Sequence, residues 1–272
     1  MKPSAIFIFH FSSTQFLSSI IFLLCILFLT QSISIAEPLS AEQIMQHSYE
    51  IDNSKTSKAK KILNIISENG NTRKRTIYHL KYDEGNIAKS LIVFLQPSDV
   101  KNTSFLLHEN KSDSKQDGRW LFLPALKKTR RIANSSRGDY FMLTDFTFED
   151  LAKREVSEDY HRKLKEEIIE GVLCHVIENI PKDTDDVYGK RISWIDAKSW
   201  TTRKIDFFDH QNKKIKTLNA SNFRDIQSII TPFTLTMENF DRKHKTIIEI
   251  DSIEYQLEMK SDLFTQRQLD RG

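Results

Sequence analysis

Residues 119–151 read RWLFLPALKKTRRI (119–132), ANSSRGDYFML (133–143) and TDFTFEDL (144–151). An apolar, aromatic run of strand type leads into a group of cations, and no acidic residue occurs between Gly118 and Gly138. Two interpretations stay open. The stretch is either a core strand, a solvated loop and a core helix, or the mouth of an apolar pocket with cations at its rim and aromatic side chains on a movable lid.

Glycines mark the architecture outside this stretch. Asn69-Gly70 and Asp117-Gly118 stand before strand-like runs, where Asn-Gly and Asp-Gly are strong hairpin signals. About eleven such runs lie between 58 and 257, several of them with alternating apolar residues. We therefore predict a mainly β (α+β) protein with a curved antiparallel sheet or incomplete β-barrel, because flat open sheets of so many strands are uncommon.

Helices are few in this reading, and we expect them to fill or cover the opening of the barrel. They are predicted at about 41–51, 148–154 and 262–269, and the last would dock on the sheet through Leu263, Phe264 and Leu269. The apolar phase of the last long strand changes near Asp251 and Ser252, which predicts a β-bulge.

The first 36 residues have the pattern of a secretion signal. Lys2 precedes an apolar run at about 16–29, and small residues stand at the two positions that a signal peptidase recognises, Ser34 and Ala36. We expect cleavage after Ala36 and a single mature domain over 37–272. The run is short for a membrane span of about 20 residues. An uncleaved anchor nevertheless stays open, as does lipidation at Cys25.

Charge and cysteine content exclude some classes of protein. Lys2 is the only charged residue before Glu37, so 39 basic and 37 acidic residues remain in the mature part. This near-neutral balance is not that of a nucleic-acid-binding protein. Cys174 is the only cysteine of the mature part, which excludes an internal disulfide there, and its apolar surroundings predict a buried thiol.

Catalytic motifs are absent from the sequence. No Gly-x-Ser-x-Gly elbow, phosphate-binding glycine loop or His-Glu-x-x-His pattern occurs. The histidines are scattered and none stands at a recognised metal spacing. We therefore expect a protein that is not an enzyme and needs no cofactor or metal.

From Trp120 to Leu151 the chain resembles the bacterial periplasmic proteins called outer-membrane lipoprotein-sorting proteins, which are related in fold to the lipoprotein carrier LolA. The matching residues are WLFLPALKK (120–128), RRI (130–132), SRGD (136–139), FM (141–142), TDF (144–146) and FEDL (148–151). The resemblance covers 37–272 and implies a deeply curved, incomplete antiparallel barrel whose apolar concave face takes acyl chains and whose opening is covered by helices. It also implies a periplasmic location and association with exporters of the resistance–nodulation–division (RND) class.

The resemblance suggests roles for residues of this motif. Side chains that would line or flank the cavity are Trp120, Phe122 and Leu126. Side chains of the lid would be Phe141, Met142, Phe146 and Phe148. Cations that would meet a lipid headgroup or an acidic partner are Lys127, Lys128, Arg130, Arg131 and Arg137. Carboxylates that would pair with those cations and hold the lid closed are Asp145, Glu149 and Asp150.

These expectations combine into a non-enzymatic periplasmic carrier. It would bind a lipid or lipoprotein acyl chain in an apolar half-barrel, touch membranes transiently, and move its cargo between membranes or to and from an RND-type exporter. Three alternatives stay open: a lipid-sensing regulator, an enzyme acting on envelope lipids, and an accessory subunit of an exporter without cargo. The cargo, the exporter and the oligomeric state are left open by the sequence.

Overall fold

The computed structural model describes residues 37–111 and 117–270. The predicted signal segment, with Cys25, lies outside these residues. The first helix, α1, spans Ala41–Glu50 and begins with the reciprocal capping bonds of Ser40 and Gln43. The prediction of a helix at 41–51 is confirmed.

Thirteen strands form one antiparallel sheet, so the predicted number of about eleven was too low. The strands are β1 (Thr56–Ile66), β2 (Thr72–Asp83), β3 (Ile87–Gln96), β4 (Ser104–Asn110), β5 (Gly118–Leu123), β6 (Lys128–Arg131), β7 (Asp159–Ile169), β8 (Val172–Pro181), β9 (Lys190–Asp196), β10 (Thr202–Phe208), β11 (Lys214–Ile226), β12 (Ile229–Asn239) and β13 (His244–Tyr255). Strand β6 is the notable addition, since its four polar residues carry no apolar alternation and were interpreted as a loop.

The sheet consists of two meanders, β1–β6 and β7–β13, in which every strand pairs with its neighbours in sequence. The meanders join through the pairing of β1 with β13, and β6 and β7 are the two edge strands of an open sheet. The register shifts where Lys60 faces Ser252 and Lys61 faces Ile250. Asp251 is the extra residue, which confirms the predicted bulge.

Residues 132–158, here called the crossing segment, connect the two edge strands and show how strongly the sheet curves. Phe141 packs on Phe105 of β4 with ring centroids 5.3 Å apart, while Phe146 packs with Phe207 of β10. In a flat sheet these two strands would lie about 34 Å apart, at ~4.8 Å per strand. The backbones of Phe141 and Phe146 nevertheless share a hydrogen bond of 2.8 Å. The sheet therefore wraps around the crossing segment, which lies against its inner face.

The helices agree with the prediction only in part, since the C-terminal segment docks on the sheet as predicted but the helix at 148–154 does not form. Helix α1 packs through Ile44 against β8 and β9 on the inner face, and the predicted helix at 148–154 is only a 3-10 turn at Glu149–Leu151. The C-terminal segment is a 3-10 turn (Ser261–Phe264) followed by a single helical turn, α2 (Gln266–Leu269). It packs against the outer face beside Leu106 and Phe122. The element that crosses the interior is largely non-helical.

Candidate functional site

The crossing segment closes one end of the curved sheet, the end with the β1–β2 and β12–β13 turns. Asp145 is fully buried. One carboxylate oxygen accepts a 2.7 Å hydrogen bond from Thr246 Oγ1 and lies 2.7 Å from His244 Nδ1, and the other accepts a 3.2 Å bond from Arg242. Arg75 of β2 donates to the carbonyl of Met142 from the other half of the sheet. The segment is thus fastened to both meanders at this closed end.

A buried ion pair fixes the middle of the crossing segment. Lys216 of β11 pairs with Asp150, and both side chains are at least 95% buried. Tyr188 donates a 2.8 Å hydrogen bond to the same carboxylate, and the Thr147 amide donates one of 2.7 Å. The Asp150 amide in turn donates a 3.2 Å bond to the Thr147 hydroxyl, which completes a capping box. The Asp150 carboxylate also makes the tertiary contact with Lys216, and the helix does not continue beyond one turn.

The opposite, open end of the sheet contains a cleft with an apolar lobe of about 280 Å³. Its walls combine the inner face of β10–β13 with the C-terminal end of α1. The apolar part of the wall consists of Ile51, Ile205, Leu218, Ala220, Phe223, Ile229, Ile230, Pro232 and Leu235. Most of these side chains are only half-buried. A curved sheet with accessible apolar side chains on its inner face offers a site for an apolar ligand.

A second, polar lobe of about 240 Å³ adjoins the first. It lies beside the C-terminal ends of β2 and β4 and the N-terminal end of β3. Tyr49, Asp52 and Lys153 line both lobes. Lys153 Nζ lies 3.8 Å from the centroid of the Tyr49 ring, and Tyr49 Oη donates a 2.5 Å hydrogen bond to Glu155. Asp52 accepts a 2.7 Å bond from Lys81. Direct contacts therefore hold these side chains between an apolar and a charged compartment.

Burial shifts the ionisation of groups in the polar lobe. It raises the pKa of Glu109 to about 7 and lowers the pKa of Lys153, with the nearby Lys81 charge adding to the second shift. Burial and the hydrogen bond to Glu155 raise the pKa of Tyr49. Burial therefore disfavours the charged forms of three groups in this lobe.

Ion pairs link regions near the two edges of the sheet across the crossing segment. Glu149 lies 3.5 Å from Arg119 of β5, 3.9 Å from Arg137 and 3.6 Å from Arg154. Arg154 also pairs at 2.6 Å with Asp159 of β7. A groove of about 410 Å³ runs along these residues.

The three residues predicted to line or flank the cavity, Trp120, Phe122 and Leu126, lie outside both lobes of the cleft. Trp120 and Phe122 are on the outer face, where they pack with Phe264 of the C-terminal segment. Leu126 is exposed on the β5–β6 turn. None of the three lines either lobe of the cleft.

The predicted lid residues differ in how deeply they are buried. Phe141, Phe146 and Phe148 are buried in the crossing segment, whereas Met142 is half-buried at its tip. These residues fill the closed end, so their position fits a plug better than a cover over the cleft. A movement of this segment stays a prediction.

The predicted cations form two groups. Lys127, Lys128, Arg130 and Arg131 are exposed, and none forms an ion pair with a described residue. Arg137 is partly buried and pairs with Glu149 and, at 3.2 Å, with Asp183. Of the three predicted carboxylates, only Glu149 contacts one of these five cations. Asp145 and Asp150 use Arg242 and Lys216 instead, because β13 and β11 bring those cations against the buried segment.

Sequence reasoning did not find the walls of the cleft. The residues of its apolar lobe come mainly from α1 and β10–β13 and those of its polar lobe largely from β2–β4, and no local motif joins them. The available signal was the set of inward-facing apolar residues in those strands, which requires the strand register to be known. Within residues 37–111 and 117–270 no cluster of metal-ligating side chains occurs, and none of the helices there is long and apolar enough to span a membrane.

A family model with the description "Uncharacterized protein" matches residues 87–271. The chain belongs to that family. The structure is similar to an outer membrane lipoprotein-sorting protein domain from Vibrio parahaemolyticus, at 27% identity and a TM-score of 0.80, with 85% of this chain and 98% of that chain covered. No curated protein matches the chain.

Two further solved structures share the fold of this family member. A DUF1329 family protein from Desulfovibrio piger has 24% identity and a TM-score of 0.81, with 84% of this chain and 97% of that chain covered. A LolA superfamily protein from Nitrosomonas europaea has 17% identity and a TM-score of 0.68, with 85% of this chain and 100% of that chain covered. The predicted resemblance to lipoprotein-sorting and LolA-like proteins is confirmed, and the chain has a LolA-like, open antiparallel sheet.

Proposed function

We propose that this protein is a periplasmic carrier that binds a lipid or lipoprotein acyl chain in the apolar lobe of the cleft and moves it between membranes. The observation that carries the proposal is the half-buried apolar wall inside a LolA-like sheet, open at one end and filled by the crossing segment at the other. An acyl chain gains about 0.8 kcal/mol for each CH₂ removed from water. A modest apolar lobe is therefore sufficient to hold part of a chain.

Among the described residues, the serine–histidine contact on the inner face favours binding over hydrolysis. His79 Nε2 lies 2.7 Å from Ser90 Oγ, and His79 Nδ1 lies 2.9 Å from Lys61 Nζ. A protonated Lys61 only donates, so Nδ1 accepts and Nε2 carries the proton. His79 then donates to Ser90 and is not available to take its proton, as a nucleophilic serine requires.

Native mass spectrometry with lipid extraction tests the carrier directly. The protein is produced from its full sequence, purified from a bacterial periplasm and compared with the variant Ala220→Trp. Ala220 lines the apolar lobe, so the indole would occupy the space of an acyl chain. Its neighbour Ser221 points to the other face of β11, and Ser221→Trp is the matched control.

We expect wild type and Ser221→Trp to carry a lipid or acylated peptide and Ala220→Trp to be empty. If the wild-type protein stays empty after incubation with envelope lipids, the proposed carrier function is rejected. A lipid retained equally by Ala220→Trp would place the binding site outside this lobe.

A second candidate function is an accessory or regulatory subunit of an envelope export system. It is favoured by the exposed cations of the β5–β6 hairpin, which lack acidic partners among the described residues and line neither lobe of the cleft. Such a surface suits an acidic partner protein, including an RND-type exporter, or an anionic membrane. The double charge reversal Arg130→Glu/Arg131→Glu should weaken capture of envelope partners while leaving the thermal midpoint unchanged, because exposed charges contribute little to stability. An unfolded double variant would show instead that the arginines are structural.

A further inference from the structure

A chain of three polar side chains lies on the inner face of β1–β3. Lys61 contacts His79 at 2.9 Å, and His79 contacts Ser90 at 2.7 Å. Ser90 is buried, while Lys61 and His79 keep some accessible surface. That accessible surface lies on the inner face of the sheet, the face that also forms the walls of the cleft.

The Lys61 ammonium lacks a counterion. No described carboxylate forms an ion pair with it. The acidic group whose charge acts on it, Asp52, is already bonded to Lys81 at 2.7 Å and to Ser54 Oγ at 2.5 Å. Burial and the like charge of Lys81 lower the pKa of Lys61 to about 8. Buried charges in proteins are normally paired, and this one is not paired within the described chain.

The position of Lys61 connects it to the cleft. Lys81 lines the polar lobe. His79 lies two residues before Lys81 on the same face of β2, about 7 Å deeper into the sheet. Lys61, which contacts His79, is thus on the same face as the polar lobe and lies farther toward the closed end than Lys81.

We propose that Lys61 binds the carboxylate of a free fatty acid whose hydrocarbon chain extends into the cleft. The inference rests on the proposed function and specifies its ligand. Lys61 donates one N–H to His79, which leaves two N–H groups to donate to the carboxylate. His79, itself bonded to Ser90, positions the ammonium group. A single ammonium matches the charge of a monoanion. A phosphate headgroup would favour the bidentate geometry of arginine, which no described side chain supplies at this position.

Competition binding of palmitate and hexadecanol tests this assignment, since the two probes have the same chain length and differ at the polar end. We expect the wild-type protein to bind palmitate about tenfold to hundredfold more tightly, the range for a hydrogen bond to a charged group. Lys61→Met should bind both probes with similar affinity, and Lys61→Arg should keep the preference. Lys58→Met, on the opposite face of the same strand, is the matched control and should behave as wild type.

The outcomes separate this inference from the function on which it rests. If neither probe binds the wild-type protein, the proposed carrier function is rejected. If both bind equally, the acyl chain is recognised and the carboxylate site is rejected, a result that depends on the folding of no variant. A preference that survives in Lys61→Met would also reject Lys61 as the site.

Discussion

The substitution Asp150→Asn tests how the crossing segment is held inside the sheet. It keeps the shape of the side chain and removes the charge that Lys216 faces. Lys216 is 2% exposed, and its ring contacts with Tyr188 and Phe207, at 4.8 and 5.0 Å, supply only partial compensation. The variant therefore leaves a lysine ammonium buried among aromatic rings without an anion.

The expected loss of stability is large. Breaking a buried ion pair by removing one partner costs about 3–5 kcal/mol, against a total stability of about 5–15 kcal/mol for a typical domain. For a domain of this size we expect the thermal midpoint to fall by roughly 6–20 °C. Urea unfolding followed by circular dichroism, with thermal unfolding in parallel, measures both quantities.

The pH dependence of the variant has a definite sign. Burial and the charge of Arg191 already hold the pKa of Lys216 below its usual value, and loss of Asp150 removes an attraction that opposes this shift. A lysine whose pKa is lower in the folded state than in the unfolded state destabilises the folded protein at any pH where the lysine is protonated in both states. Raising the pH through the folded-state pKa relieves that penalty. Asp150→Asn should therefore recover stability as the pH rises toward the unfolded-state lysine pKa of about 10.4.

Two further variants complete this experiment. The double variant Asp150→Asn/Lys216→Met removes both charges and should recover at least half of the loss. Glu68→Gln removes an exposed partner of Lys243 at 2.7 Å and should change nothing measurable, because water screens that pair. If Asp150→Asn stays within about 1 kcal/mol of wild type, the ion pair does not anchor the segment.

Further predictions concern three other buried positions. Burial raises the pKa of Glu109 to about 7, so wild-type stability should fall as the pH rises from about 4.5 to 7; Glu109→Gln should flatten that part of the pH profile and be the more stable protein at pH 8. Gly118→Ala would place a methyl group against the Trp120 ring and should cost about 1–3 kcal/mol in urea unfolding, with a change in tryptophan fluorescence. Thr246→Val removes a hydroxyl that both donates to Asp145 and accepts from its amide, and should also cost about 1–3 kcal/mol; an unchanged urea midpoint would contradict this.

The sequence was sufficient to predict much of the architecture, because the decisive signals are local. Apolar alternation and turn glycines such as Gly171, with φ of 79°, identify hairpins one at a time. The phase change at Asp251 identifies a bulge within one strand. The helix predicted at 148–154 failed for a tertiary reason. Its capping carboxylate, Asp150, is also the partner of Lys216, and buried contacts to the sheet determine where the chain goes after Leu151.

The candidate site was less predictable, since its parts are separated in the chain. Leu218 and Leu235 line one lobe only because β11 and β12 pair in one particular register. Lys61 and His79 appear as ordinary polar residues in two strands until pairing places them together. The resemblance suggested Trp120 as a cavity residue, but a matching motif does not say which face of the strand a side chain takes. Trp120 lies on the outer face, which the C-terminal segment covers.

The connection of the two meanders has a consequence for how the chain folds. Within each meander every strand pairs with its neighbours in sequence, so only a short loop has to be closed to form each pair. The β1–β13 ladder instead joins residues such as Leu63 and Ile248, nearly the whole described chain apart. Closing so long a loop before any pairing has a high entropic cost, which slows folding. The ladder at the centre of the finished sheet should therefore be among the last to assemble, once the residues between β6 and β7 have brought the two halves together.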